Sequence, residues 1–423
     1  MRSETRASGT WAIFVRFLGF GLRAWGGPIG QIAMLRHELA EGGGWVSPAR
    51  FDRALAVYQA LPGPEAHEMC VYLGMVRGGR VGGVAAGLGF MLPGLLVMLL
   101  LAWGYSRVGM HPLATAALAG AQPAVAALIA LAAWRLGRRV LCDVPRGLVG
   151  AGALAAGLAG APMLVVLLAG AAFHGAWAAS ERFKPVVAVL AAILVVVGSV
   201  SVGRLAEHQS LRGASTQPTS AAAEPRDARG QGGVSEPPAL ESLAGTGLRA
   251  GLLSFGGAYT ALPFLRHDAV TRGAWMSESA FLDGVALAGV IPAPLIIVGT
   301  FVGFAGGGFV GALIVTATIF APAFLFTLLG HEVFERWTGS ARLHAVLDGV
   351  AAAVVGLIGA TAIQVLAGAV GVDVASMPGG GIRPMAFIIG VAAFALLATV
   401  RARWIAPAVI IGAGATGLAV GWL

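Results

Sequence analysis

Charge is scarce in this chain. Only 11% of its 423 residues are Asp, Glu, Lys or Arg, against about a quarter in an ordinary soluble domain, and that class is excluded. Lys184 is the sole lysine, followed by Pro185. No G-x-x-x-x-G-K-[ST] loop exists, which excludes P-loop ATP hydrolysis. The two cysteines, Cys70 and Cys142, form neither a disulfide scaffold nor a redox spacing. No Ser/His/Asp or HExxH arrangement supports proteolysis. Arg16 interrupts the first apolar stretch and no small-residue cleavage site follows, so no cleaved signal peptide is expected.

Apolar residues make up 57% of the chain, with a mean hydropathy of +0.82. That is enough for roughly a dozen spans of about 20 residues each. Glycine contributes 64 residues, a share typical of helices that approach closely in lipid. The net charge of +8 comes from arginines between apolar runs, which fits membrane loops and no nucleic-acid partner. The expected class is an all-α polytopic membrane protein, with lipid around it.

The chain repeats itself 230 residues on. Gly26-Gly27 recurs as Gly256-Gly257, Arg36-His37-Glu38 as Arg266-His267-Asp268, and Pro62-Gly63-Pro64 as Pro292-Ala293-Pro294. Trp45, Ser47 and Phe51 recur as Trp275, Ser277 and Phe281. After a one-residue deletion, Pro93 meets Pro322 and Gly120 meets Gly349. Two homologous repeats are expected, over 1–203 and 246–423. A flexible polar linker over 204–245, rich in Ser, Pro, Glu, Arg and Gly, joins them.

Apolar runs lie at about 11–30, 52–76, 81–106, 112–134, 147–173 and 185–203, then at about 248–265, 279–304, 307–330, 343–370, 384–400 and 404–422. They are continuous rather than alternating and so predict helices. Arginines follow the second and fourth runs of the first repeat, but the first, third and fifth of the second. By the positive-inside rule the repeats face opposite ways, the usual plan of secondary transporters. Inversion needs an odd number of crossings per repeat, so the first run, broken by Arg16, Arg23 and Gly26-Gly27-Pro28, is expected to be a re-entrant or half-length helix. About 10–12 membrane segments result.

Three paired elements are candidates for chemistry. The first comprises Trp25-Gly26-Gly27-Pro28 and Phe255-Gly256-Gly257. Glycines there would bring bare N–H groups and a helix N-terminus to an anion, or would serve close helix crossing. The second comprises Pro62-Gly63-Pro64 and Pro292-Ala293-Pro294, each of which must break its helix. Glu65 at the first break is a candidate proton carrier or an interfacial loop acid. The third comprises Arg36-His37-Glu38 and Arg266-His267-Asp268. Its arginines suit an oxyanion, and His37, Glu38 and His267 are further candidates for proton coupling. A self-paired, solvated helix end is the alternative. Arg23 and Arg249 lie near the glycine pairs, to bind an anion or reach headgroups. Gln122, before Pro123, is a candidate cavity-lining residue. Glu65, His67, Glu68 and Cys70 have metal-ligand chemistry but no four-ligand spacing, so no metal or other cofactor is expected.

Phe20 to Pro28, Arg36-His37-Glu38 and Gln59-Ala60-Leu61-Pro62-Gly63-Pro64-Glu65-Ala66 together resemble the chromate ion transporter family, in its long two-domain form. Ser254-Phe255-Gly256-Gly257 resembles that family's second-repeat signature, and Gly120 to Val125 and Gly349 to Leu357 extend the match. The resemblance implies an inner-membrane carrier that expels chromate by proton-coupled antiport and confers chromate resistance, not an enzyme. Two residues depart from the family pattern: Trp25 stands where the family has Phe, and Ala258 follows Gly257 in place of proline. Sulfate or another oxyanion as substrate, an anion channel, and a homodimeric assembly stay open.

Overall fold

The computed structural model describes residues 9–25, 27–42, 44–61, 63–108, 111–179, 238–254, 258–337, 341–370, 384–400, 402 and 404–420. The described chain is all-α. In order, the helices of the first half are α1 (Thr10–Gly21), α2 (Gly27–Leu35), α3 (Pro48–Ala60), α4 (Glu65–Val108), α5 (Pro112–Val140), α6 (Val144–Leu158) and α7 (Met163–Ala179). Those of the second half are α8 (Leu240–Leu252), α9 (Leu262–Arg266), α10 (Glu278–Val290), α11 (Val298–Trp337), α12 (Ala341–Val370), α13 (Pro384–Thr399) and α14 (Ile405–Val420). Each half carries one π-helical turn at the same place, Arg36–Glu41 and His267–Arg272.

Local sequence explains the element starts. Ser47 accepts a hydrogen bond from the Arg50 N–H and Pro48 opens α3, while Ser277 accepts from the Ala280 N–H to start α10. Asp143 caps α6 in the same way. The apolar run expected at 52–76 is not one helix. It breaks at 61–64, where Pro64 ends the gap before Glu65. The run at 185–203 and most of the 204–245 linker lie outside the described residues. The linker's last residues are helical: α8 begins at Leu240 and buries Leu243 beneath Gly307 and Gly311 of α11.

Among the described residues four helical stretches are long and apolar enough to cross a membrane: Glu65–Arg107, Pro112–Val140, Leu295–Gly330 and Leu343–Ala367. Shorter apolar helices accompany them. The chain is a multi-pass membrane protein. Two of the four stretches fold back on themselves. In α4 the chain turns at Gly78 and Gly79, the latter at φ 63°, ψ −162°; in α11 it turns at Gly307 and Gly308, the latter at φ 58°, ψ −147°. The arms then touch. A Cβ on Gly74 would strike the Gly82 carbonyl, and one on Gly303 would strike the Gly311 carbonyl. The arm 65–77 is about 20 Å long, too short to span, and the arm 80–108 is about 43 Å.

Packing joins the halves reciprocally. α1 lies on α4 and α8 on α11, and the two hairpins contact one another. The later helices are exchanged: α6 and α7 pack on α12, whereas α13 and α14 pack on α5. Glycine makes these approaches possible. A Cβ on Gly120 would meet the backbone of Gly417, one on Gly349 that of Gly170, and one on Gly356 that of Gly150.

Candidate functional site

A cavity opens where the early elements of both halves meet the C-terminal end of α5. Its larger lobe, of about 740 Å³, is lined by Trp25, Gly27, Trp134, Arg135, Arg138, Arg139 and Tyr259, and closed by the ends of α13 and α14. A smaller lobe of about 140 Å³ shares Gly27, Arg135, Arg139 and Tyr259, and adds Pro28, Gln59, Glu65 and Thr260. Water takes about 30 Å³ per molecule in the liquid, so the large lobe has room for an anion and much of its hydration.

Each wall has a sequence cause. Gly27 sits at φ 67°, with its nearest neighbour the Tyr259 hydroxyl at 3.8 Å from where a Cβ would stand. Tyr259 and Thr260 follow Phe255-Gly256-Gly257 in the chain, so Gly27 and the residues just after the second glycine element line one space. Trp25, Gly27 and Pro28 line it. Gly26, Phe255, Gly256 and Gly257 lie outside the described residues. Arg135, Arg138 and Arg139 are spaced i, i+3 and i+4, which puts them on one helical face. Arg135 Nη2 donates to the Leu397 carbonyl in the last turn of α13 at 2.7 Å. Arginine forks match the geometry of a tetrahedral oxyanion. The cavity therefore offers three guanidinium groups, a glycine turn and a tyrosine hydroxyl to an anion.

The proline breaks adjoin this space. Ile291, Ala293 and Leu295 line the larger lobe, while Pro292 and Pro294 do not. Pro62 lies outside the described residues. Gly63 and Pro64 are buried, and the Gly63 N–H donates to the Ser254 carbonyl at 2.7 Å. That bond ties the first break to the residue just before Phe255. Glu65 is buried, accepts a hydrogen bond from the Gln59 side chain and feels the charge of Arg139.

The charged triplets are elsewhere and paired. Arg36 bonds both Glu41 and Asp52, and His37, mostly exposed, meets Glu41. Arg23 meets Glu38 at 3.0 Å. In the second half Arg266 bonds Glu278 and Gln364, and Arg249 grips Asp268. His267 lies in a π turn outside the candidate spans. Burial there holds its imidazole below the ordinary histidine value, against the pull of Asp268. None of these groups lines the cavity.

Gln122 makes a different connection. Its amide donates to Asp283 Oδ1 at 3.2 Å, while the Tyr105 hydroxyl donates to Asp283 Oδ2 at 2.9 Å. The buried carboxylate of α10 is thus held by α4 and α5. Among the described residues no three His, Cys, Asp or Glu side chains converge to hold a metal ion. Sequence reasoning missed Arg135, Arg138 and Arg139 as site residues, and Tyr259 with them. The i, i+3, i+4 spacing was the available signal. It also passed over Glu68, fully buried one turn beyond Glu65.

Comparison with known proteins gives a consistent picture. The family model described as "Chromate transporter" matches residues 11–197 and again 242–418. A chromate transport protein of Pseudomonas aeruginosa is 46% identical over 83% of this chain and 80% of its own length. A chromate transport protein of Cupriavidus metallidurans is 28% identical over 81% and 79%, and a probable chromate transport protein of Synechococcus elongatus is 30% identical over 83% and 82%. No solved structure matches the chain.

Proposed function

The chain belongs to the chromate transporter family, and from that premise we propose that it exports chromate across the cell inner membrane by proton-coupled alternating access, conferring chromate resistance. It acts as a carrier, not an enzyme. One observation carries this reading: Gly27 of the first glycine element, Tyr259 just after the second, and the α5 arginines line one cavity. Chromate is a tetrahedral dianion, and three arginines with few competing acids suit that charge. Gly27 and Tyr259 supply neutral donors, and Glu65 at the edge of the smaller lobe supplies a titratable group beside Arg139.

The coupling follows from shared electrostatics. A proton on Glu65 removes the carboxylate that competes with the anion for Arg139. Proton and anion occupancy are then linked through one guanidinium, and each biases the conformation the other prefers. Residues 1–203 and 246–423 act as two repeats of opposite orientation, the arrangement that provides alternating access in other carriers.

The test is chromate uptake into everted membrane vesicles from cells with and without the protein, with and without an imposed pH gradient. Protein-dependent accumulation that follows the gradient, with sulfate as a competitor for the same charge and shape, is the expected result. Absence of protein-dependent uptake refutes the chromate assignment. Uptake indifferent to the gradient refutes the coupling.

A further inference from the structure

Glu68 is the buried acid that the cavity leaves unexplained. It is fully enclosed, and neither carboxyl oxygen has a hydrogen-bond partner. Water solvates an isolated carboxylate far better than such surroundings can, so holding the charged form there is heavily penalised. An enclosed acid without donors is accommodated as the neutral carboxyl.

Its neighbours set what it can exchange with. Glu65 lies one turn back on the same short arm and faces the smaller lobe of the cavity. Among the described residues Glu65 is the one charged group acting on Glu68. His67, also buried, packs its ring between Phe320 and Phe324 of α11, at 4.7 and 4.8 Å. From α3, Arg50 reaches past to the Tyr72 hydroxyl at 3.0 Å, and the nearest charge on α1, Arg16, turns to Phe20 and Trp45. From α2, Gln31 is turned toward the Ala24 carbonyl. Among the described residues no hydrogen-bond donor, charged or neutral, meets the Glu68 carboxyl.

What covers Glu68 is the helix break. A Cβ on Gly63 would stand 2.6 Å from Glu68 Oε1, so the Gly63 backbone lies directly against the carboxyl. Gly63 is at φ 151° and its N–H is bonded to Ser254 of the other half. The lid over the acid is thus fastened to the second half. Positions 65 and 68 correspond to Leu295 and Val298 in that half, so the arrangement exists once per chain.

We propose that Glu68 is the proton-binding site of the transport cycle, loaded and emptied through Glu65 when the Gly63–Ser254 contact between the halves opens. This rests on the proton-coupled reading above. Closed, the break seals the proton on Glu68; opened, it admits water and Glu65 relays the proton to the cavity, where the carboxylate of Glu65 and the anion compete for Arg139.

The experiment uses the purified full chain in proteoliposomes, comparing wild type with Glu68→Gln and Glu68→Asp. Two modes are read: chromate–chromate exchange at equal pH, and accumulation driven by a pH gradient. Glu68→Gln, a neutral isostere, is expected to lose gradient-driven accumulation to the level of protein-free liposomes while exchange persists. Glu68→Asp is expected to restore part of the driven mode. Infrared spectra provide a second readout, in which Glu68→Gln removes a protonated-carboxyl band present in wild type. Gradient-driven accumulation by Glu68→Gln, or an unchanged carboxyl band, overturns the assignment and leaves the carrier reading intact. Wild-type accumulation that ignores the pH gradient overturns the coupled reading, and this one with it.

Discussion

Replacing Gly79 by Ala tests the helical hairpin that carries Glu65 and Glu68. Gly79 sits at φ 63°, ψ −162°, a region that is essentially glycine-only, and forcing a side chain there costs about 1–3 kcal/mol. An added Cβ would meet nothing within 4 Å, so the whole cost is backbone strain. Gly308→Ala makes the same demand at φ 58°, ψ −147°, again in open space. Gly74→Ala is the steric counterpart. Its Cβ would overlap the Gly82 carbonyl and Ala86 across the hairpin, and overpacking of that kind costs about 1–3 kcal/mol. Gly104→Ala is the control, since it lies within the long arm with nothing within 4 Å. There Ala should stabilise by about 0.5–1 kcal/mol through helix propensity. One chemical change thus gives opposite signs at different positions. Reversible unfolding in mixed detergent micelles, followed by circular dichroism, reads all four. If Gly79→Ala and Gly308→Ala match Gly104→Ala, the two-glycine turns do not exist as described and the short arm loses its anchor.

The site makes its own demands. Arg139→Gln should raise the chromate KM by about 10- to 100-fold, from a lost charge-assisted hydrogen bond of about 1.5–3 kcal/mol, while Arg36→Ala, whose side chain is paired with Glu41 and Asp52, leaves KM unchanged; a concentration series of vesicle uptake separates the two, and an unaltered Arg139→Gln KM removes that residue from the site. Tyr105→Phe and Gln122→Leu each take one donor from Asp283 and should each destabilise by about 1.5–3 kcal/mol. Their double variant should depart from additivity by at least about 0.5 kcal/mol, and strict additivity in the same unfolding assay would show that they do not share a carboxylate.

Much of this was legible in one dimension. The proline spacing of Pro62-Gly63-Pro64 and Pro292-Ala293-Pro294 demanded breaks, and α3 and α10 do end before them. The hairpin turns were harder to read. Arg77 and Arg80 mark a polar boundary at 77–80, and a boundary looks the same whether it is a loop or a two-residue reversal between touching arms. The triplet Arg36-His37-Glu38 illustrates a different limit. Its arginine suits an anion until Asp52, 16 residues away, is seen to occupy it. The α5 arginines erred in the other direction. Charge bias reads them as a loop, whereas α5 continues to Val140 and they line the cavity. Periodicity reports which face of a helix is apolar, and it cannot report which helix covers that face. The exchange of α6–α7 and α13–α14 between the long helices is therefore invisible to it.

That exchange bears on which parts can move. α13 and α14 rest on α5, and Arg135 fastens α5 to the Leu397 carbonyl, so the arginine wall of the cavity moves with helices from the other end of the chain. The opposite wall is made by Trp25, Gly27, Pro28 and Tyr259, and the Gly63–Ser254 bond ties the break that starts the first hairpin to the second half. On the proposed carrier reading, a motion that changes access to the cavity would separate these two mixed bodies rather than one sequence half from the other. Glu65 and Arg139 sit on opposite sides of that division, so on the proposed proton-coupled reading their approach and separation is the step at which a proton on one wall would alter anion affinity on the other.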